Sequence, residues 1–186
     1  MSERKQQILE AAIEIIANEG YANLSMRALA RASDLKLGAL QYHYKTREDM
    51  LRAVVGYIAD EYQKSFDEVA LADGFLGVQG FIDFITEDKV DEALNTSKLW
   101  PQLWAMGAIE PLVADLVAEI YDKYLNILEG LLKDVGSEAP RAEALFLMSM
   151  VEGSTLFLGR NKPWEADEHA VRDVLQRFIE SQYGQK

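Results

Sequence analysis

The segment SDLKLGALQYHYKTREDM, residues 33–50, decides how the first part of the chain folds. Leu40 and Tyr44 are four residues apart, so on a helix they lie on the same face. We expect this face to point into a core, and the side chains of residues 41–43 cannot all share it. A short helix with one inward row and an outward group of polar and aromatic side chains is therefore predicted.

Helix signals flank this segment on both sides. Apolar residues recur every three or four positions before Gly20, which is placed to end a first helix. Ser25 has the character of an N-cap for a short second helix. Thr46 and Asp49 have the spacing of a shortened capping box that opens a long helix. The pattern predicts two short helices joined by a tight turn, which is the helix-turn-helix arrangement.

In a helix-turn-helix protein the second helix of the motif enters the major groove of DNA. Here we expect that helix at about residues 37–43. The small residues Gly38 and Ala39 would let its N-terminal end approach DNA closely, and Gln41 can bind an adenine edge with two hydrogen bonds. The side chains that can donate to phosphate oxygens are those of Tyr42, His43, Lys45 and Arg47.

The net charge of −12 by itself argues against a nucleic-acid partner. The charge is unevenly distributed, however. Residues 1–47 contain seven Lys or Arg and five Asp or Glu, whereas the remaining residues contain twelve and twenty-six. A mildly basic head on an acidic body can still bind phosphate. A chance excess of two charges in a short segment explains the numbers equally well, so charge leaves this point open.

The stretch RKQQILEAAIEIIANEGYANLSMRALARASDLKLGALQYHYKTREDML, residues 4–51, resembles the DNA-binding head of the TetR family of bacterial transcriptional regulators. The Ala-Ala pair before NEGY, then LSMRALARAS, then GALQYHYKTREDML, carry the resemblance. It implies that Ser25 caps the second helix and binds phosphate, and that Arg27 reaches a base or a phosphate. It also implies that the residues facing DNA bases are Lys36, Leu37, Gly38 and Gln41. The residues that bind the DNA backbone would be Tyr42, His43 and Arg47.

The sequence departs from the family pattern at two positions. Many members have Thr or Ser where Ala39 stands, so a hydroxyl contact is missing here. Many have Tyr where Gln41 stands, so Gln41 is expected to read bases and not to clamp a phosphate. Both departures are compatible with DNA binding, but they leave the operator sequence undetermined.

Several classes of protein are disfavoured by composition. The chain has no cysteine and only two histidines, His43 and His169, which do not define a metal site. No nucleophile–base pair or phosphate-binding loop is visible, so we expect no enzyme activity, no cofactor and no metal. The N-terminus lacks the apolar core of a signal peptide, and no run is long enough to span a membrane. A cytoplasmic protein with no membrane partner is therefore predicted.

The rest of the chain carries apolar rows of helical period. The predicted fold class is all-α, with a three-helix helix-turn-helix head at residues 1–46 and a larger ligand-binding and dimerisation body at residues 47–186. Pro111 is placed to open a long helix. A helix that includes Phe75 is expected before it, followed by one that is kinked or restarted at Pro101.

The segment ALFLMSMVEGSTLFLG is apolar almost all the way round, so we expect it to be buried on more than one side. Paired with the last helix, it would form a four-helix homodimer interface. The two predicted helices span about residues 141–159 and 166–182. A dimer also supplies two reading heads for adjacent major grooves, and the family resemblance implies the same. A central helix buried within a monomer is the alternative.

The resemblance further implies that the body encloses a pocket for a small inducer. Glu152 is a charge within the most apolar helix, which is costly unless the carboxylate is paired or meets a ligand. It would suit a cationic or hydroxyl-bearing ligand. Aromatic residues at helical spacing can equally be plain core. The candidate ligand-binding residues are Tyr62, Phe66, Trp100, Trp104, Tyr121 and Glu152.

Together these features predict a ligand-responsive, sequence-specific DNA-binding transcriptional regulator. Its partners would be a double-stranded DNA operator and an unidentified small molecule. Repression, relieved when the ligand releases the operator, is a family expectation. A DNA-binding dimer that responds to no ligand is one alternative. A small-molecule-binding protein or an enzyme that uses Glu152 as acid or base is another.

Overall fold

A computed structural model describes residues 2–72, 77–87, 96–159 and 162–184. Within these ranges the chain forms nine α-helices and no strand, which confirms the all-α prediction. None of the helices described is long and apolar enough to cross a membrane. The helices are α1 Glu3–Glu19, α2 Met26–Ala32, α3 Leu37–His43, α4 Arg47–Ala72, α5 Gly77–Glu87, α6 Thr96–Gly107, α7 Pro111–Asp134, α8 Pro140–Ser154 and α9 Glu168–Tyr183.

The helices fall into two compact units. The first unit comprises residues 1–66 and 90–120, and the second comprises residues 67–89 and 121–186. The divisions therefore fall inside α4 and α7. The predicted division into a DNA-binding head and a body follows function, and it stays a prediction.

In the first unit, α1 packs against both α2 and α6, and α2 packs against α3. Leu40 is completely buried and Tyr44 is nearly so, which confirms that this face of α3 points inward. The predicted span of α3 is also confirmed. Burial of this much apolar surface is the main stabilising contribution to such a unit. Fully buried side chains of the first unit include Ile8, Ile16, Leu29, Leu40, Met50, Ile58 and Leu103.

The turn between α2 and α3 is held by backbone hydrogen bonds of the Schellman type. The N–H of Leu35 donates to the carbonyl of Ala30 at 2.8 Å, and Asp34 adopts a positive φ of 51°. Asp tolerates this conformation better than most residues do. From α1, Arg4 Nη2 donates to the carbonyl oxygen of Ser33 at 2.8 Å. The first helix therefore braces the turn that sets the direction of α3.

The predicted helix caps are present. Ser25 Oγ accepts a hydrogen bond from the N–H of Ala28 at 3.1 Å. Thr46 and Asp49 form a reciprocal capping box, in which each backbone N–H donates to the other's side chain at 3.0 Å. Because α4 begins at Arg47, directly after Thr46, this box fixes its first turn next to the end of α3.

The helix predicted to span about residues 141–159 ends earlier, at Ser154. The hydroxyls of Ser154 and Thr155 donate to the backbone carbonyls of Val151 and Glu152 at 2.6 and 2.7 Å. Such side chains compete for the carbonyl groups of the last turn and favour its termination. Because the segment is strongly apolar up to residue 159, its sequence pattern did not predict that the helix ends at Ser154.

Two other boundaries also differ from expectation. The last helix begins at Glu168 and not at residue 166, because a 3₁₀ turn, Glu165–Asp167, precedes it. Helix α6 continues through Pro101, so the helix does not restart at this proline. Pro101 lies inside the helix, where it removes one backbone hydrogen bond without ending the helix. Phe75 lies outside the described residues.

In the second unit, α5 packs against α8 and α9. The rings of Phe81 and Tyr124 meet edge to face with centroids 6.3 Å apart, which joins α5 to α7. Arg172 Nη2 donates to the carbonyl of Thr86 at 3.4 Å. Through these contacts α5 packs against α8, α9 and the part of α7 that belongs to the second unit.

Replacement of Leu40 by Ala should lower the free energy of unfolding by about 2–5 kcal/mol, because buried methyl groups are lost and a cavity remains. The matched control is Tyr42→Ala, two residues away and with 85% of the side chain exposed. It should change stability by less than about 0.5 kcal/mol. Urea unfolding followed by circular dichroism measures both. Equal losses in the two variants would contradict the inferred orientation of α3.

Candidate nucleic-acid interface and ligand-binding site

The outward face of α3 carries several of the side chains that were predicted to contact DNA. Tyr42 is 85% exposed, and Gln41 and Lys45 are exposed as well. His43 is half-buried, and its ring meets that of Tyr42 edge to face with centroids 5.7 Å apart. Leu37 is also half-buried, beside the inward row. Burial of Leu40 thus leaves polar and aromatic groups on the solvent side.

The start of α3 is open to the solvent. Lys36 occupies the N-cap position, is exposed and makes no side-chain capping hydrogen bond. Apart from its chain neighbours and the backbone of its own helix, a Cβ at Gly38 would meet no atom of the described residues within 4 Å, so packing does not require glycine there. On α2, the side chain of Arg27 is exposed, and so is the capping residue Ser25. These groups are all accessible to a polyanion.

Arg47 behaves differently from the other predicted DNA contacts, because it is engaged within the chain. Its Nη1 donates to Glu110 Oε1 at 2.8 Å, and its Nη2 donates to the hydroxyl of Tyr21. The same hydroxyl donates to Glu110. The guanidinium carbon also lies 5.0 Å from the centroid of the Tyr21 ring, within range of a cation–π interaction. We call these three residues the Arg47 cluster.

The cluster shifts the ionisation of its members. Hydrogen bonds from Tyr21 and Arg47 hold the pKa of the Glu110 carboxyl below its ordinary value. Partial burial, together with the hydrogen bond to Glu110, raises the pKa of the Tyr21 hydroxyl. At neutral pH the cluster therefore contains a charged guanidinium, a charged carboxylate and a neutral phenol.

Sequence reasoning missed Tyr21 and Glu110. These two residues are 89 positions apart, and Glu110 and Arg47 are 63 apart. No local pattern relates such distant positions. The only available signal was Tyr21 itself, which ends the NEGY element of the family resemblance.

The candidate ligand-binding residues of the first unit form an aromatic group. Trp100 Nε1 donates to the hydroxyl of Tyr62 at 2.6 Å, and their ring centroids are 5.6 Å apart. The ring of Trp104 follows at 6.5 Å from that of Trp100. Tyr62 is buried, whereas both tryptophans and Phe66 are half-buried. Trp100 thus contacts both Tyr62 and Trp104.

The other two candidates belong to the second unit. Tyr121 on α7 donates from its hydroxyl to Glu152 Oε1 on α8 at 2.9 Å, and both side chains are half-buried. This contact places a carboxylate beside an aromatic ring. No cluster of three or more potential metal ligands occurs in the part of the chain that the structure describes.

Apolar side chains remain exposed on the last two helices. Leu145 and Phe146 on α8 are 46% and 52% exposed, and Val174 on α9 is 57% exposed. The rings of Phe146 and Phe178 meet with centroids 6.2 Å apart, which joins the two helices. An open, mainly apolar groove adjoins this surface. Its lining residues are Phe157, Leu158, Trp164, Asp167, Ala170, Val171 and Val174.

Comparison with protein families agrees with this architecture. The family described as bacterial regulatory proteins, tetR family, matches residues 8–54, which include α2, the turn and α3. The family described as BetI-type transcriptional repressor, C-terminal, matches residues 77–184, more than half of the chain. The chain belongs to the TetR family of bacterial regulatory proteins. The predicted resemblance is confirmed, and the matched families are regulators and not enzymes.

Individual relatives are distant. The transcriptional regulator UidR of Escherichia coli K12 is 28% identical over 130 residues, which are 67% of this chain and 61% of UidR. BetI of Proteus mirabilis is 24% identical over 161 residues, 81% of this chain and 77% of BetI. The nicotine-responsive repressor HdnoR of Paenarthrobacter nicotinovorans is 23% identical over 164 residues, 83% and 82% of the two chains.

Solved structures share the fold over the whole chain. A putative transcriptional regulator from Saccharomonospora viridis, in complex with choline, aligns with a TM-score of 0.79 at 20% identity and covers all of both chains. A transcriptional regulator from Rhodococcus sp. Rha1 aligns with a TM-score of 0.78 at 19% identity over 98% of each chain. At these identities the likeness establishes the fold.

Proposed function

We propose that this TetR-family protein is a ligand-responsive, sequence-specific DNA-binding repressor that a small molecule releases from its operator. The observation that carries the proposal is the outward face of α3, which lies within the matched DNA-binding family. That face combines a group able to read bases, Gln41, with a group able to hold phosphate, Tyr42, and Lys45 follows just after the helix. Its place of action would be the cytoplasm, where the operator DNA is found.

A homodimer accounts for the exposed apolar side chains of α8 and α9. Helices of this kind bury such surface in a four-helix interface between two copies. The self-complementary arrangement places the same patch on both subunits. Two copies of α3 would then meet adjacent major grooves, about 34 Å apart, and the operator would be a two-fold repeat.

The ligand that fits the second unit best is an organic cation. Tyr121 and Glu152 offer an aromatic ring beside a carboxylate, the combination that binds ammonium groups. Two similar proteins point the same way. HdnoR is nicotine-responsive, and the Saccharomonospora viridis structure contains choline. Because ligand and operator would favour different states of the protein, each would weaken binding of the other.

The proposed DNA function is tested by capture of genomic DNA fragments at near-physiological salt. Wild-type protein should enrich fragments that share a two-fold motif, and the double variant Gln41→Ala, Tyr42→Ala should lose this enrichment. The matched control is Glu119→Ala, Lys123→Ala, which changes two exposed side chains of α7 and leaves the net charge unaltered. Equal enrichment by wild type and the α3 variant would contradict the assignment of α3 as the reading helix.

The proposed dimer is tested by Val174→Lys, which places a charge in the apolar groove. Sedimentation at micromolar concentration should find wild type as a dimer and the variant shifted to monomer, because the interface would bury an unpaired charge. Ile109→Lys is the control, since Ile109 is 75% exposed but lies outside α8 and α9. A Val174→Lys variant that remains dimeric would exclude this surface as the interface.

The proposed ligand chemistry is tested by thermal shift with choline and nicotine as probes. A cation at 100 times its Kd should stabilise the protein by about 2.7 kcal/mol. The neutral carbon analogue of choline, 3,3-dimethylbutan-1-ol, should not stabilise it. Glu152→Gln, which keeps the shape of the side chain but removes its charge, should abolish the difference in stabilisation between choline and its neutral analogue. Stabilisation by neutral compounds alone would contradict a cationic ligand.

A further inference from the structure

We propose that Glu110 competes with DNA for Arg47, so that the Arg47 cluster is an internal brake on operator binding. The inference rests on the proposed DNA-binding function and adds a residue that regulates it. Glu110 lies outside the family's DNA-binding match, which covers residues 8–54. Its carboxylate nevertheless reaches a basic side chain directly beside the reading helix.

Arg47 is placed where a phosphate-binding residue would be useful. It is the first residue of α4 and follows Lys45 by two positions. The capping box of Thr46 and Asp49 fixes the backbone on both sides of it. The guanidinium therefore starts from a defined position at the end of α3, and only its side-chain partners need to change for it to bind a phosphate.

In this structure the guanidinium is already occupied. Both of its terminal nitrogens donate within the chain, Nη1 to Glu110 and Nη2 to Tyr21. A phosphate bound by two parallel hydrogen bonds would use the same planar donor group. Glu110 also neutralises the guanidinium and brings a negative charge to the place that a phosphate would approach. Occupation by Glu110 and occupation by DNA therefore oppose each other.

The competition is reversible, because the pair is open to solvent. The side chains of Arg47 and Glu110 are 42% and 30% exposed, and ion pairs of this kind are weak. A buried pair would instead lock the arginine permanently. DNA phosphates can thus displace the carboxylate, at the cost of part of the binding free energy.

Glu110 is attached to a helix junction that can move its carboxylate. Its N–H donates to the carbonyl of Met106 at the end of α6, and its own carbonyl accepts from the N–H of Val113 at the start of α7. The position of the carboxylate therefore follows the junction of α6 and α7. Any rearrangement that draws this junction towards Arg47 would strengthen the brake, and one that withdraws it would release the arginine.

The inference is tested with four proteins: wild type, Glu110→Gln, Arg47→Ala and the double variant. Their affinity for a duplex recovered in the genomic capture is measured by fluorescence anisotropy between 50 and 200 mM salt. Glu110→Gln should bind about threefold to fivefold more tightly, as expected for loss of a weak surface pair. The slope of the logarithm of its binding constant against the logarithm of salt concentration should become steeper by about 0.9, because one additional phosphate contact is made. In the Arg47→Ala background the same change should have less than about a twofold effect.

The charge control is Glu48→Gln, adjacent to Arg47 in the sequence. Glu48 is exposed and pairs with Arg52 at 3.1 Å, so its removal changes the net charge equally without touching the Arg47 cluster. Its effect should be the same with and without Arg47. Thermal melts of all variants verify folding, and the backbone hydrogen bonds of Glu110 are unaffected by the change to Gln.

Any of the following outcomes would overturn the brake. Weaker binding by Glu110→Gln would mean that the carboxylate supports DNA binding by positioning Arg47. An equal gain in both backgrounds would mean a general charge effect. If wild type binds no duplex at all, the proposed function fails and this inference fails with it, whereas unchanged affinity of Glu110→Gln with normal wild-type binding overturns only the inference.

Discussion

Burial of Leu40 is the constraint on which the rest of the proposed DNA-facing surface depends. The helix that carries it, α3, has only seven residues, too few to be stable without packing. Leu40 and Tyr44 are buried in the core of the first unit. Because helix geometry then fixes the directions of the neighbouring side chains, Gln41 and Tyr42 face outward. Arg4 and the positive-φ turn at Asp34 then set the approach of the helix. Recognition chemistry is thus a consequence of core packing.

The Arg47 cluster extends this relation to distant parts of the chain. A residue at the end of the DNA-binding segment is held by one at the junction of α6 and α7. Helix α7 begins at this junction and also carries Tyr121, the partner of Glu152. Glu110 of the proposed brake directly precedes the helix that carries Tyr121 of the proposed cation site. This continuity gives a physical basis for coupling between ligand and DNA, provided that the helix has two arrangements that both partners bias.

The acidic composition of the protein is compatible with this scheme. Most of the negative charge lies beyond residue 47. Neither α2 nor α3 contains an acidic residue. An acidic remainder opposes non-specific attachment to DNA. In the proposed scheme, specific contacts from a small surface decide DNA binding, so a single competing carboxylate, that of Glu110, is enough to change the affinity.

Local chemistry in the sequence determined the all-α class, the helix-turn-helix span, the caps at Ser25 and Thr46, and the inward orientation of Leu40. These features depend on residues within one or two helical turns of one another. The early end of α8 at Ser154 was missed, because strong apolar periodicity obscured the hydroxyl side chains of Ser154 and Thr155, which favour termination of the helix. Only the tertiary structure decided that Arg47 meets Glu110 and Tyr21, and that Tyr121 meets Glu152. Such pairs are set by how helices pack, and no periodicity along the chain encodes contacts between positions so far apart.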